Sequence, residues 1–147
     1  MGILKALIYG VLGLVLLGAA GFFVLGLMSQ NGEAPGLAQG QLAPCPDSPN
    51  CVSSEAGTVA EKATQPLSVD AWGKLPEVIA AQGGTVTSTS DDYISAEFKS
   101  AIFGFVDDVE FRKADDAVHI RSASRVGYSD AGANAARVAA LRGALGE

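Results

Sequence analysis

From Ala6 to Met28 the chain runs 23 residues without a charge. As a helix this run reaches roughly 35 Å, more than the hydrocarbon core of a bilayer at about 30 Å. No other stretch approaches it, so the chain crosses a membrane once at most. A removable signal peptide carries an apolar region of only about 7–15 residues before a small-residue cleavage site. Here the apolar run continues past Ala19-Ala20-Gly21 to Met28, and an uncleaved anchor is expected. Lys5 precedes the run and the next basic residue is Lys62. By the positive-inside rule the N-terminus stays in the cytoplasm and the remainder crosses. The expected address is the inner membrane, single-pass, with the C-terminal domain in the periplasm. Gly2, Ala6 and Gly10 form a short small-xxx-small row, but the other glycines of the run do not share its face, which favours an ordinary anchor over a dedicated packing surface.

The expected organisation is an anchor over residues 1–28, a linker over 29–42 and one domain over 43–147. The linker reading rests on the Gly, Gln and Ser content of Ser29–Gln41, with Pro35 and few large apolar residues. The net charge of −6 argues against nucleic acid as a partner. Residues 29–120 hold 14 acids against 5 bases, whereas residues 121–147 hold Arg121, Arg125, Arg137 and Arg142 against Asp130 and Glu147. Cys45 and Cys51 are the only cysteines. On the oxidising side of a membrane such a close pair is expected to form a disulfide. One histidine, His119, and two cysteines do not readily make four metal ligands, so no metal and no cofactor is expected.

In the domain, Ser68 suits the cap of a helix over about Val69–Gln82, with Trp72, Leu75 and Ile79 on one face. Pro76 interrupts that pattern, so the helix either starts close to it or kinks there. Thr85–Thr89, Tyr93–Lys99, Phe105–Lys113 and Ala117–Arg125 read as strands, the last two joined as a hairpin through Ala114-Asp115-Asp116. Alternation puts Val118, Ile120, Ser122 and Ser124 on one face and His119, Arg121 and Arg125 on the other. Ser129 or Asp130 is placed to cap a final helix to about Leu145, on whose apolar stripe Asn134 falls with Val138 and Leu141. The predicted fold class is α+β: an apolar helix, then a two-layer domain with an antiparallel sheet of about four strands flanked by two helices.

The densest polar group is Arg121, Ser122, Ser124, Arg125 and Ser129, followed by Asn134 and Arg137. Arginine pairs with carboxylate or phosphate in planar, bidentate fashion, and the segment runs into a helix N-terminus, where free N–H groups attract anions. Two readings stand: a contact surface for an acidic partner or small anionic ligand, or an internal ion-pair network with Asp107, Asp108 and Glu110. No G-x-S-x-G elbow surrounds any serine, and His119 faces away from Ser122 and Ser124, so a serine hydrolase is the weakest reading.

Three motifs in order resemble one family. Cys45-Pro46-Asp47-Ser48-Pro49-Asn50-Cys51-Val52-Ser53 comes first, then Phe105-Val106-Asp107-Asp108-Val109-Glu110-Phe111. The third is Arg121 to Arg125 with Gly127, Ser129-Asp130, Gly132, Asn134, Arg137 and Arg142. Over about residues 43–145 the chain is similar to the domain-of-unknown-function 1499 family. The resemblance implies a domain often found behind a membrane anchor, with no established activity and no catalytic role for its motif residues. Gly104 departs from it, standing where a larger, often basic residue is expected. The functional expectation is a membrane-anchored binding or accessory module, with a constitutive subunit of a membrane protein complex as the alternative.

Overall fold

The computed structural model describes residues 2–147. Helix α1, Gly2–Ser29, is a single continuous helix and, among the described residues, the one long and apolar enough to cross a membrane. The domain then forms in the order β1 (Leu37–Ala38), β2 (Gln41–Leu42), β3 (Cys51–Ser53), β4 (Leu67–Ser68), α2 (Leu75–Ala81), β5 (Thr85–Thr89), β6 (Tyr93–Lys99), β7 (Val106–Lys113), β8 (Ala117–Ser124) and α3 (Ala133–Leu145). Strands β3 to β8 make one antiparallel sheet in the order β3-β8-β7-β6-β5, and β4 shares the outer edge of β8 with β3. The α+β class is as expected. The sheet has six strands rather than about four, because β3 and β4 span only three and two residues. Strands that short carry no readable alternation.

Pro76 starts the first domain helix rather than kinking it. Val69–Lys74 is a 3-10 turn in which the Ser68 hydroxyl accepts from the Asp70 N–H, and α2 begins at Leu75 with Pro76 in its first turn, where an N–H has no partner to lose. Strand β7 begins at Val106, one residue later than the pattern suggests. The last helix begins at Ala133, behind Gly132 in the left-handed region at φ 84°. Ser129 does not cap it; its hydroxyl accepts only from the Ala131 N–H. Asp130 does the work from outside the helix, accepting from the N–H groups of Gly132 and Asn134 at 3.1 and 2.8 Å.

The register fixes what each sheet face presents. Phe111 lies opposite Ile94 and Ile120, and Val109 opposite Ala96 and Ser122. On this face Phe98, Val118, Leu75, Ile79, Val138 and Leu141 close the core under α2 and α3. The other face carries Glu110 opposite Ser95 and Arg121, Asp108 opposite Glu97 and Ala123, and Arg112 opposite Tyr93 and His119. Glu110, Asp108 and Arg121 are nonetheless buried. Their cover is the segment between α1 and β3. The Gly36 N–H donates to Glu110 at 2.9 Å, and the Leu42 N–H donates to Glu55 at 3.0 Å. The residues read as a linker therefore lie across the charged face.

Helix α1 is seamed to the sheet at its last turns. The Ser29 hydroxyl accepts from the Val106 N–H at 3.0 Å, its carbonyl accepts from Arg125, and Gln30 donates to the Gly104 carbonyl. Phe22 and Phe23 stack against Phe103 and Phe105, with ring centroids 5.2–6.3 Å apart. A Cβ at Gly26 would overlap the Phe103 carbonyl, and one at Gly104, which sits at φ 70°, would meet the Gln30 side chain. Two glycines thus permit the closest approach of helix to domain.

Candidate functional site

Strand alternation splits the arginine–serine segment into two polar layers on opposite faces of β8. On the helix-covered face, Asn134 is fully buried and bonded at both ends of its amide. Its Oδ1 accepts from Ser122 at 2.6 Å and from Arg137 at 2.9 Å. Its Nδ2 donates to the Asn50 carbonyl, the Ser124 hydroxyl and Asp130. Arg137 also pairs with Asp107 at 2.7 Å and lies over the Phe98 ring at 4.9 Å. Ser122, Ser124, Asn134 and Arg137 therefore come together, with Asp107 and Asn50. Their arrangement locks α3 and the cysteine segment onto β8. It also holds the carboxyl of Asp130 below the ordinary range: burial raises it, but the backbone and side-chain N–H groups of Asn134 outweigh that.

On the opposite face Arg121 pairs with Glu110 at 2.8 Å. Glu110, with no solvent exposure, also accepts from Tyr93 and from Gly36. Burial and then this hydrogen bond push the Tyr93 hydroxyl well above its usual range, which keeps it a donor. Arg125 forks onto Asp108 at 2.8 and 2.6 Å and reaches Glu97. The Asp108 hydrogen bond, helped by Glu97, raises the Arg125 guanidinium further still against the opposing effect of burial. Farther along the same face Arg112 forks onto Glu55 at 2.7 and 3.0 Å, and His119 Nδ1 lies 3.1 Å from the Ser54 carbonyl. His119 is thus on the other face from Ser122 and Ser124, and neither serine has a histidine partner. Ser129 is exposed in the loop and joins neither layer.

Of the network read from the sequence, Asp108 and Glu110 hold Arg125 and Arg121, while Asp107 serves Arg137. Sequence reasoning missed Glu97, Tyr93, the Glu55–Arg112 fork and Asn50. The available signal was Glu110 alternating with Val109 and Phe111 on a strand that had to be central. A carboxylate there needs partners on its own face.

Between the charged face and the chain leaving α1 lies a cavity of about 350 Å³. Ser29, Gly32 and Glu33 wall it on one side, and Asp108, Arg121 and Arg125 on the other. Gly32 packs against the Arg125 side chain, where a Cβ would stand 3.2 Å from its Cδ. Arg121 is 7% exposed, and among the described residues its Nε has no hydrogen-bond partner. A buried, unpaired donor of that kind costs about 1–3 kcal/mol. Cys45 and Cys51 form a disulfide with a Cα–Cα distance of 5.7 Å. The bridge closes a short loop that ends on the first residue of β3, and Asn50 of that loop donates to the Gly127 carbonyl, three residues beyond the end of β8.

Neither a curated protein nor a solved structure matches the chain. A family model described as a protein of unknown function (DUF1499) matches residues 41–145, which takes in every domain strand from β2 onward and both domain helices. The chain belongs to this family of unknown function, and carries an apolar helix ahead of the family's domain.

Proposed function

We propose that the protein is a membrane-anchored binding module whose domain lies outside the cytoplasm and takes an acidic group, carboxylate or phosphate, in the cavity beside Arg121. The observation that carries this reading is Arg121 itself, a buried arginine that lines that cavity and whose Nε, among the described residues, has no hydrogen-bond partner. The Nε–Nη2 edge of a guanidinium matches two oxygens of one acidic group. The formal charges of the wall balance, with Arg121 and Arg125 against Glu33 and Asp108, so selection would come from hydrogen-bond geometry rather than from a net field. Anchoring is supported by the length and apolarity of α1. Placement outside the cytoplasm is supported by the disulfide and by the position of Lys5.

Native mass spectrometry of the full chain, purified in mild detergent, tests the binding. A small acidic adduct should accompany the wild type and be lost from Arg121→Lys, which keeps a charge for Glu110 but lacks the two-pronged edge. If the wild type carries no adduct and its melting temperature ignores inorganic phosphate and acetate, the binding reading fails. A second reading, a constitutive subunit of a membrane protein complex, draws support from the seam between α1 and the sheet. A partner gripping the helix would thereby hold the domain in a fixed pose. Co-purification from native membranes, repeated with residues 1–28 removed, separates the two: a partner lost with the helix favours the subunit.

A further inference from the structure

The loop between β6 and β7, Ser100-Ala101-Ile102-Phe103-Gly104-Phe105, has no charge, and Ile102 at its tip is 74% exposed. Phe103 turns the other way, onto Phe22 and Phe23 of α1, and its carbonyl sits against Gly26. The loop therefore reaches down beside the helix to the level of residues 22–26, below the first polar residues at its end. From Ala6 to Gly26 the helix rises about 30 Å, which is the thickness of a hydrocarbon core. If the helix spans a bilayer, the loop lies at the outer boundary of that core, with Phe22 and Phe23 just inside it. Lys99, which opens the loop, donates to Gln30 at 2.8 Å from the height of the headgroups.

The rest of the domain is polarised to match. Strands β6 and β7 run away from this loop for seven and eight residues, a distance of roughly 25 Å. At their far ends, Asp91 and Asp92 sit in one turn and Asp115 and Asp116 in the other. The uncharged loop and Lys99 face the lipid end; four acids and one base, Lys113, face away from it.

We propose that loop Ser100–Phe105 is a second membrane contact, with Ile102 entering the lipid interface beside the helix and fixing the tilt of the domain over the bilayer. The proposal rests on the anchor reading, and its test keeps the two apart. The full chain, with Trp72→Phe to remove the native fluorophore, is reconstituted into vesicles of phosphatidylcholine and phosphatidylglycerol with or without bromine on the upper acyl chain. Tryptophan is placed at Val24, Ile102 or Asp116 in turn. The expected result is that Val24→Trp and Ile102→Trp each lose more than half their emission to bromine while Asp116→Trp keeps its own. If Val24→Trp is quenched and Ile102→Trp is not, the loop proposal is overturned and the anchor stands. If Val24→Trp is not quenched, the anchor reading falls and takes the loop with it. Quenching of Asp116→Trp would overturn the proposed tilt. Ile102 and Asp116 are exposed, so these substitutions leave the core untouched.

Discussion

Asn134 occupies a position on α3 that the helical stripe assigns to a hydrophobic side chain, and it is as buried as Leu141. An alanine there would remove the acceptor of the Ser122 hydroxyl and of one prong of Arg137, and would leave the Asn50 carbonyl with the Ser124 N–H alone, in a fully buried site. Groups of that kind cost about 1–3 kcal/mol each when left unpaired, and partial relaxation brings the expected loss for Asn134→Ala to about 2–4 kcal/mol. Urea denaturation of the full chain in detergent measures it. On the other face Glu55 gives a pH dependence whose sign follows from its partners. Burial raises its carboxyl, but the Arg112 fork, the Leu42 N–H and His119 outweigh burial and hold it below the usual range. The unfolded chain therefore binds more protons than the folded one near its ordinary value of about 4.3. Stability from this group is present above that value and is lost as the pH falls through the lower folded one. The denaturation midpoint should drop between about pH 6 and pH 3, and Glu55→Gln should flatten part of that drop.

At the scale of the elements, what the sequence made legible follows alternation and what it hid follows covering. Ile94, Ala96 and Phe98 on β6, and Val118, Ile120, Ser122 and Ser124 on β8, sit on the faces their spacing indicates, because a strand's period of two leaves little choice. Pro76 marked a helix boundary because it lacks a donor. The short strands β3 and β4 were illegible, being held by the edge of β8 rather than by any pattern of their own. The partition of the arginine–serine segment between two faces was half legible: alternation separated Arg121 from Ser122, but proximity in sequence made one patch of them. Residues 29–42 looked like a linker because their composition is polar and rich in turn formers. What gives them a fixed place is the backbone N–H groups of Gly36 and Leu42, which composition does not report. Gly104 similarly reads as a departure from its family's pattern until α1 is seen to need the space. Gly26→Leu should force the helix off the loop, opening the aromatic stack and freeing the Val106 N–H from Ser29. Hydrogen exchange at Val106 should then quicken at least tenfold, for loss of about 1.4 kcal/mol or more of local protection, while exchange in β6 away from the loop stays slow.

The whole molecule is a sheet with two unlike sides and two unlike ends. One side is closed by helices over hydrocarbon side chains, the other by the chain leaving α1 over paired charges. One end carries an uncharged loop opened by Lys99 and abuts the apolar helix; the other carries four acids and Lys113. The seam between α1 and the sheet bears on how the domain could be set free. A protease cutting after Met28 would strip Phe103 and Phe105 of Phe22 and Phe23, and would leave the new N-terminal amine on Ser29, beside the guanidinium of Arg125. The liberated fragment would begin life with a bare aromatic patch and a like-charge contact at its edge. The build of the junction itself thus opposes separation of helix α1 from the domain.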